Sequence, residues 1–571
     1  MKLLKDLAVA RKELADWTEN LTWAHDGTLY LTTVPDITVC VPVYSEATNS
    51  SKDLFHIKEY PLPLVNKFEY DLAQKNVMIN SVPESSIKIC QASPVSDSLA
   101  VLTNNANACI YSGRGLVAQL DQPERALEER SYHSLAWNVE GNMIAVGNEA
   151  CEVIVFSVNE NFEGAEFIYH RTIKINDDAT SWVTRLEWYE EGIIVSLSNN
   201  SVHLVREDDG PKQIKCSSRF KNSDLKGMKG NIIITSAGSV HRYEIGSGTL
   251  ESLDLGACDD FYVVPLPDYN TALLISNKTS CLLSLGHELR LQNDVIISPH
   301  IEAKFKKWNN YFNEFNNYET NFLIHGLATS PDGACLALAY SLDRLSIRYR
   351  IVSEQQYRIC LFPLGKAWEI KQGSTGLTWY QNYQIYNKQL PRNFETDEGC
   401  LDLDTTLSFK SYLQELMNNK RMNNLRFSNF LEQEKDNNLY KRAVYDYAVA
   451  HKDEVVNPLD KACVQSIADL LALESPVVPE IYTMKGEFIE ETFSSPASPN
   501  TDVVQSEEGH IWKRCRATFL PLLTSKVKVC PVSNYRIIDI KHDARNDYGW
   551  LTRTILQFSN NQSIYSGTRM L

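Results

Sequence analysis

From His133 to Phe156 the chain reads HSLAWNVEGNMIAVGNEACEVIVF. An apolar run meets a polar turn, and a second short alternating run follows. Short apolar runs bounded by turn residues read as β-strands. The same plan recurs at Leu21–Thr33, Ser93–Tyr111, Val183–Val205, Phe220–Ile245, Phe261–Leu285 and Ile324–Tyr349, with a further strand near Tyr357–Phe362. In the first of these, Asp26-Gly27 is a tight-turn signal between two strand-like runs. Seven units between residues 20 and 365 average about 49 residues, near the length of a propeller blade. One small sheet cannot bury both faces alone, and a ring of seven solves that while leaving only short edges.

The reading is therefore a mainly β chain: a seven-bladed β-propeller over residues 1–365, followed by a C-terminal α/β domain over 366–571. The spacing stretches at 45–89 and 286–322, which read as insertions on a rim, where partners bind. The repeats are degenerate. No Trp-Asp dipeptide occurs, and Gly-His appears only at Gly286-His287 and Gly509-His510. A pair of β-sandwiches is the structural alternative. Beyond residue 366 the periodicity turns helical at Ser408–Lys420 and Leu439–Lys452. It does so again at Leu459–Leu473, where Cys463, Ile467, Leu470 and Leu471 share a face and Asn457-Pro458 marks the start. Residues 494–509 (SSPASPNTDVVQSEEG) read as an exposed loop, and strand-like runs follow at Lys526–Val529 and Arg536–Ile540.

Composition narrows the function. The 571 residues are 43% hydrophobic and 22% charged, an ordinary globular balance for several cores. The net charge of −16 argues against a surface that neutralises many phosphates, although a subunit of a nucleic-acid machine need not touch DNA. Thirteen scattered cysteines without a CxxC read as reduced thiols of a cytosolic or nuclear protein. Asp6, Arg11, Lys12 and Glu13 break the opening MKLLKDLAVARKELADW, so no signal peptide is expected. No uncharged apolar run reaches membrane-spanning length.

Searches for a phosphate loop, an HExxH zinc site and a GxSxG elbow return nothing. Arg242-Tyr-Glu-Ile-Gly246-Ser-Gly248 resembles an acyl-CoA loop, but Arg242 lies four residues before the first Gly rather than three, and a blade turn is the plainer reading. Cys515 and Cys530 are the nearest approach to a metal site. In Cys530-Pro531-Val532-Ser533 a Ser stands where a second Cys would complete a pair. Two sulfurs do not hold a structural zinc, so no metal is expected. Lys304–Tyr318 (KFKKWNNYFNEFNNY) mixes Lys with aromatics. It reads as a helix whose Phe305, Trp308, Phe312 and Phe315 face the chain's own core or a partner, with single-stranded nucleic acid as a third reading.

Several long strings carry a resemblance: MKLLKDL with NLTWAHDGTLYLTT, KFKKWNNYFNEFNNYET running into IHGLATSPDG, TGLTWYQNYQIYNKQLP, and WKRCRATFLPLLTSKVKVCPVS with NDYGWLTR. Together they resemble the smaller β-propeller subunit of the tau B subassembly of fungal transcription factor IIIC, the RNA polymerase III factor that recognises promoter elements inside tRNA genes. The resemblance implies a seven-bladed propeller with a C-terminal α/β domain, a nuclear location and a heterodimer with the larger propeller subunit of tau B. It also implies a link to transcription factor IIIB, which contains the TATA-binding protein, with DNA contact mainly through other subunits. Animal relatives carry paired cysteines at the C-terminus; Ser533 departs from that pattern. Acetyltransferase activity, proposed among animal relatives, does not carry over, because no acyl-CoA loop or positioned base is present.

The resulting expectation is a non-enzymatic scaffold with no catalytic, cofactor or metal residues. Its partner-binding candidates are the aromatics Trp308, Tyr311 and Phe312 in the second insertion and Trp512, Tyr535 and Trp550 in the C-terminal domain. A propeller scaffold of an unrelated complex and an acetyltransferase are the alternatives.

Overall fold

A computed structural model describes residues 5–9, 19–33, 37–43, 55–64, 86–112, 115–120, 131–161, 164–177, 180–189, 192–206, 209–256, 259–266, 270–293, 297–313, 320–331, 333, 335–344, 357–364, 401–419, 422, 438–478, 481–494, 502–530, 533–567 and 570. The chain forms two compact units, Met1–Pro42 with Phe55–Lys371, and Val43–Leu54 with Gln372–Leu571.

The first unit contains seven four-stranded antiparallel sheets. Blades one to six each run in chain order, starting at Leu21–Trp23, Ile87–Ala92, Tyr132–Trp137, Val183–Tyr189, Asn222–Met228 and Tyr262–Pro265. Blade seven is built from both ends of the propeller sequence. Thr320–Thr329, Cys335–Arg344 and Arg358–Pro363 are joined at the outer edge by Lys5–Ala8. Lys5 pairs with Leu361 and Ala8 with Arg358, so the first strand of the chain closes the ring.

Burial explains which strands the sequence betrays. Second strands such as Ser98–Thr103 and Gly192–Leu197 are buried at every position, because neighbouring blades cover both faces. They read as continuous apolar runs. Fourth strands such as Thr249–Asp254 and Leu289–Asn293 are mostly exposed, and their polar sequences carry little signal. Two of these outer strands, Phe55–Tyr60 and Leu289–Asn293, fall inside the stretches 45–89 and 286–322 that read as insertions. Those stretches therefore hold blade strands as well as loops. Residues 65–85 of the first insertion, the end of the seventh repeat at 345–349 and the domain boundary near 365 lie outside the described residues.

The repeats also share a motif that the sequence reading missed. Leu21-x-Trp23-x-x-Asp26-Gly27, Leu135-x-Trp137-x-x-Glu140-Gly141 and Leu186-x-Trp188-x-x-Glu191-Gly192 end the first strands of blades one, three and four. The indole N–H of Trp137 donates to Gln91 O (3.3 Å) and that of Trp188 to Ala136 O (2.9 Å), each on the preceding blade's first strand. These bonds lock neighbouring blades together while satisfying a buried donor. Gly27 and Gly141 turn with φ of 87° and 67°, a region that glycine enters without a Cβ penalty.

The second unit has one hydrophobic core, from Phe409 to Met570. Helix α1 (Ser298–Asn313) belongs to the propeller unit; α2 (Phe409–Asn418), α3 (Asn438–Ala450), α4 (Pro458–Leu470) and α5 (Trp550–Asn561) belong to the second. Asn457 caps α4 through its side chain, with Pro458 in the first turn. Among the described residues the unit also holds three two-stranded hairpins: Tyr482–Lys485 with Glu490–Phe493, Val503–Gln505 with Ile511–Lys513, and Val527–Val529 with Arg536–Ile538. Val503–Gln505 lies in the stretch read as a loop; residues 495–501 of that stretch are outside the described residues.

Candidate interaction surfaces

The central channel of a propeller is a common ligand site, and here charged side chains at the inner strands pair with one another. Arg185 on blade four bonds Glu19 (2.6 Å), which precedes blade one, so this pair crosses the channel. Its other arm bonds Asp224 on blade five (2.5 Å). Asp224 also accepts the amides of Leu225 (2.9 Å) and Val263 (2.9 Å), and Lys226 pairs with Glu187 (2.8 Å). Burial alone would lower the Arg185 pKa, but Glu19 and Asp224 more than offset it and hold the guanidinium charged. Two cations thus face three carboxylates, and the formal charges cancel apart from one negative charge.

A second polar cluster sits where the ring closes. Asp6 receives Lys304 Nζ (2.5 Å), Arg358 Nε (2.7 Å) and Tyr340 Oη (3.3 Å). Asp6, His300 and Cys360 also lie close enough to one another to share a metal ion. One feature opposes that use: the Asp6 oxygens already face two cations, Lys304 and Arg358. The cluster is a latch between the first strand, α1 and blade seven.

Two exposed aromatics share a rim of the propeller. Ser198 N donates to Trp182 O (2.9 Å) and Ser218 N to Asn199 O (3.3 Å), so the turn 198–200 anchors both flanking loops. Trp182 is 43% exposed and Phe220 58%, and the exposed Arg219 and Lys221 bracket Phe220. In the second unit Phe488, between the first hairpin's strands, is 95% exposed. None of the three was singled out from sequence, because composition marks an aromatic but not its exposure.

The six aromatic candidates are placed differently. Trp308, Tyr311 and Phe312 lie on α1, whose Ile301 is buried in the blade-seven core; their side chains, and residues 314–319, are outside the described residues. Trp512, Tyr535 and Trp550 are half-buried against the second unit's own core. Trp550 donates to Glu454 O (3.0 Å), and Tyr535 stacks beneath Arg516 (4.6 Å) and meets Tyr565 edge-on (4.8 Å). The string WKRCRATFLPLL is largely structural. Arg514 is buried and donates to Phe519 O (2.7 Å), and Cys515 is fully enclosed. Arg242 pairs with Glu251 (2.7 Å) on the next strand of blade five, and Gly246–Gly248 forms the turn between them, as a blade turn requires.

The chain is 42% identical to the "Transcription factor tau 60 kDa subunit" of Saccharomyces cerevisiae (strain ATCC 204508 / S288c) over 588 aligned positions, covering 100% of both chains. It belongs to the tau 60 kDa subunit family of transcription factor IIIC. Residues 482–570 also match the family described as "Putative zinc-finger of transcription factor IIIC complex". The tau 60 family likeness thus spans both units. Among solved structures, the chain is similar to one in "Crystal Structure of Mitotic Checkpoint Complex" (TM-score 0.43, 10% identity, 64% of this chain and 96% of that one). It is also similar to the Neurospora crassa Pan2 WD40 domain (TM-score 0.40, 10% identity, 64% and 95%).

The zinc-finger description can be tested against the donors present. Within 482–570 the sulfurs of cysteine are Cys515 and Cys530 alone, and both imidazoles are engaged with carboxylates. His510 Nδ1 lies 2.6 Å from Glu491, and His542 Nδ1 lies 2.8 Å from Asp539. This set does not fit a four-ligand structural zinc.

Proposed function

We propose that this chain is a non-enzymatic scaffold subunit of transcription factor IIIC. It pairs with the larger propeller subunit of tau B and helps link the promoter-bound factor to transcription factor IIIB. It acts in the nucleus, in RNA polymerase III transcription of tRNA genes. The observation that carries this reading is the end-to-end identity of 42% to a transcription factor tau subunit. Other features support it. Most of the described cysteines are buried, and burial pushes the Cys40 thiol up to about 12. Charged side chains at the inner strands are paired with one another, and a net charge of −16 favours indirect association with DNA.

On this reading the exposed aromatics Trp182, Phe220 and Phe488 are the strongest anchors for partners. Trp512, Tyr535 and Trp550 would contribute through their exposed edges, and Trp308, Tyr311 and Phe312 through α1. The test is co-expression with the larger tau B propeller subunit, followed by size-exclusion chromatography with mass determination. A 1:1 complex that survives high salt is the expected result, since an obligate interface is large and mostly apolar. Two separate peaks would overturn the pairing.

A further inference from the structure

Two turns in the second unit follow one hydrogen-bond plan. In Cys530-Pro531-Val532-Ser533-Asn534, the amide of Ser533 donates to Cys530 Sγ (3.4 Å) and that of Asn534 to Cys530 O (2.9 Å). In Ser563-Ile564-Tyr565-Ser566-Gly567, the amide of Ser566 donates to Ser563 Oγ (3.3 Å) and that of Gly567 to Ser563 O (2.7 Å). The fifth residue is left-handed in both, with φ of 57° at Asn534 and 69° at Gly567. The turns meet: Cys530 Sγ lies 3.1 Å from Ser566 Oγ, and Cys530 and Ser563 line one small cavity. Cys530, Ser563 and Ser566 are buried.

A turn that aims the amide of its fourth residue at the side-chain heteroatom of its first is suited to metal binding. The amide offsets part of a thiolate's charge, and the first and fourth side chains can share one ion. Two such turns brought together surround a point with four side chains, the arrangement a tetrahedral zinc needs. Here those positions are Cys530, Ser533, Ser563 and Ser566: one sulfur and three hydroxyls. Zinc takes thiolate, imidazole or carboxylate, and a serine hydroxyl remains protonated at neutral pH.

We infer that these four residues occupy the ligand positions of a tetrahedral metal site whose frame persists without its metal. The turns are joined instead by the Cys530–Ser566 hydrogen bond and by the edge-on contact of Tyr535 with Tyr565 (4.8 Å). The other cysteine of the matched stretch, Cys515, is not among the residues lining the cavity. This inference concerns the fold of the second unit and is independent of the assembly proposed above.

The test uses the full-length chain. As purified, it should contain far less than one zinc per chain, and a chelator should leave its melting temperature unchanged. The triple variant Ser533→Cys, Ser563→Cys, Ser566→Cys should bind about one Co2+ or Zn2+ per chain, with the visible absorption of tetrahedral cobalt thiolate. Its melting temperature should then rise with zinc and fall with chelator. A stoichiometric zinc in the natural chain, lost in Cys530→Ser, would overturn the inference. So would a folded triple variant that gives no tetrahedral cobalt spectrum. If the triple variant does not fold, Ser566→Cys alone decides. Facing turns predict that diamide oxidises this single variant to a disulfide between Cys530 and the introduced thiol, and failure to form that bond overturns the proposal.

Discussion

Single carboxylates carry much of the structural logic. Burial would raise the Asp6 pKa, but its bonds to Lys304 and Arg358 outweigh that and hold it below its usual 3.8. The native state therefore binds this proton less readily than the unfolded chain. The latch contributes fully above about pH 5 and is lost as pH falls through the lowered value. Asp6→Asn should lower the melting temperature at pH 7, and a pH series should show the variant and the natural chain converging in acid. Asp460 plays a different part. It is buried on α4 and accepts the amides of Leu551 (3.1 Å) and Thr552 (2.8 Å), together with the Thr552 hydroxyl, at the start of α5. Gly549, the residue before α5, supplies no capping side chain, and a Cβ there would collide with Asp460 Oδ2. Asp460→Ala should cost about 2 kcal/mol in chemical denaturation of the second unit.

At the scale of elements, legibility followed burial and local capping. Second strands such as Ser98–Thr103 and Gly192–Leu197 were readable because they are buried throughout and mostly apolar. The fourth strands were not, because their polar edges resemble loops. Helices α2, α3 and α4 were visible from periodicity, and α4 also from Asn457-Pro458. Helix α5 was missed although Leu551, Ile555 and Leu556 mark its buried face. Its start signal is Asp460, 91 positions earlier for the Leu551 contact, so no local cap announces it. The lapsed metal site was half legible. Cys530-Pro-Val-Ser533 stands out in the sequence, but Ser563-x-x-Ser566 has no signature until the two turns are seen together. The blade-locking tryptophans give an element-level prediction. Trp188→Phe removes the 2.9 Å bond to Ala136 while keeping most of the buried ring, and should destabilise the propeller by about 1 kcal/mol in denaturant titration.

At the scale of the whole molecule, surface aromatics separate from core aromatics, and variants can use that separation. Phe220→Ala and Phe488→Ala touch little of the chain's own core, so circular dichroism melts should stay within about 0.5 kcal/mol of the natural chain. If these residues anchor a partner, each substitution should weaken assembly at least about tenfold in a titration against the larger tau B subunit. Unchanged affinity in both would remove them from the interface. The closure of the ring also has a consequence in time. Asp6 and Arg358 are 352 positions apart, yet they lie on adjacent strands of one sheet. A ribosome adding about 5–20 residues each second needs on the order of 20–70 s to span that gap. Throughout that interval the first strand has emerged without its partner, and the last blade cannot be completed. The nascent chain must stay soluble as an open arc, and shielding that arc is a task for the cell's chaperones until the final strand arrives.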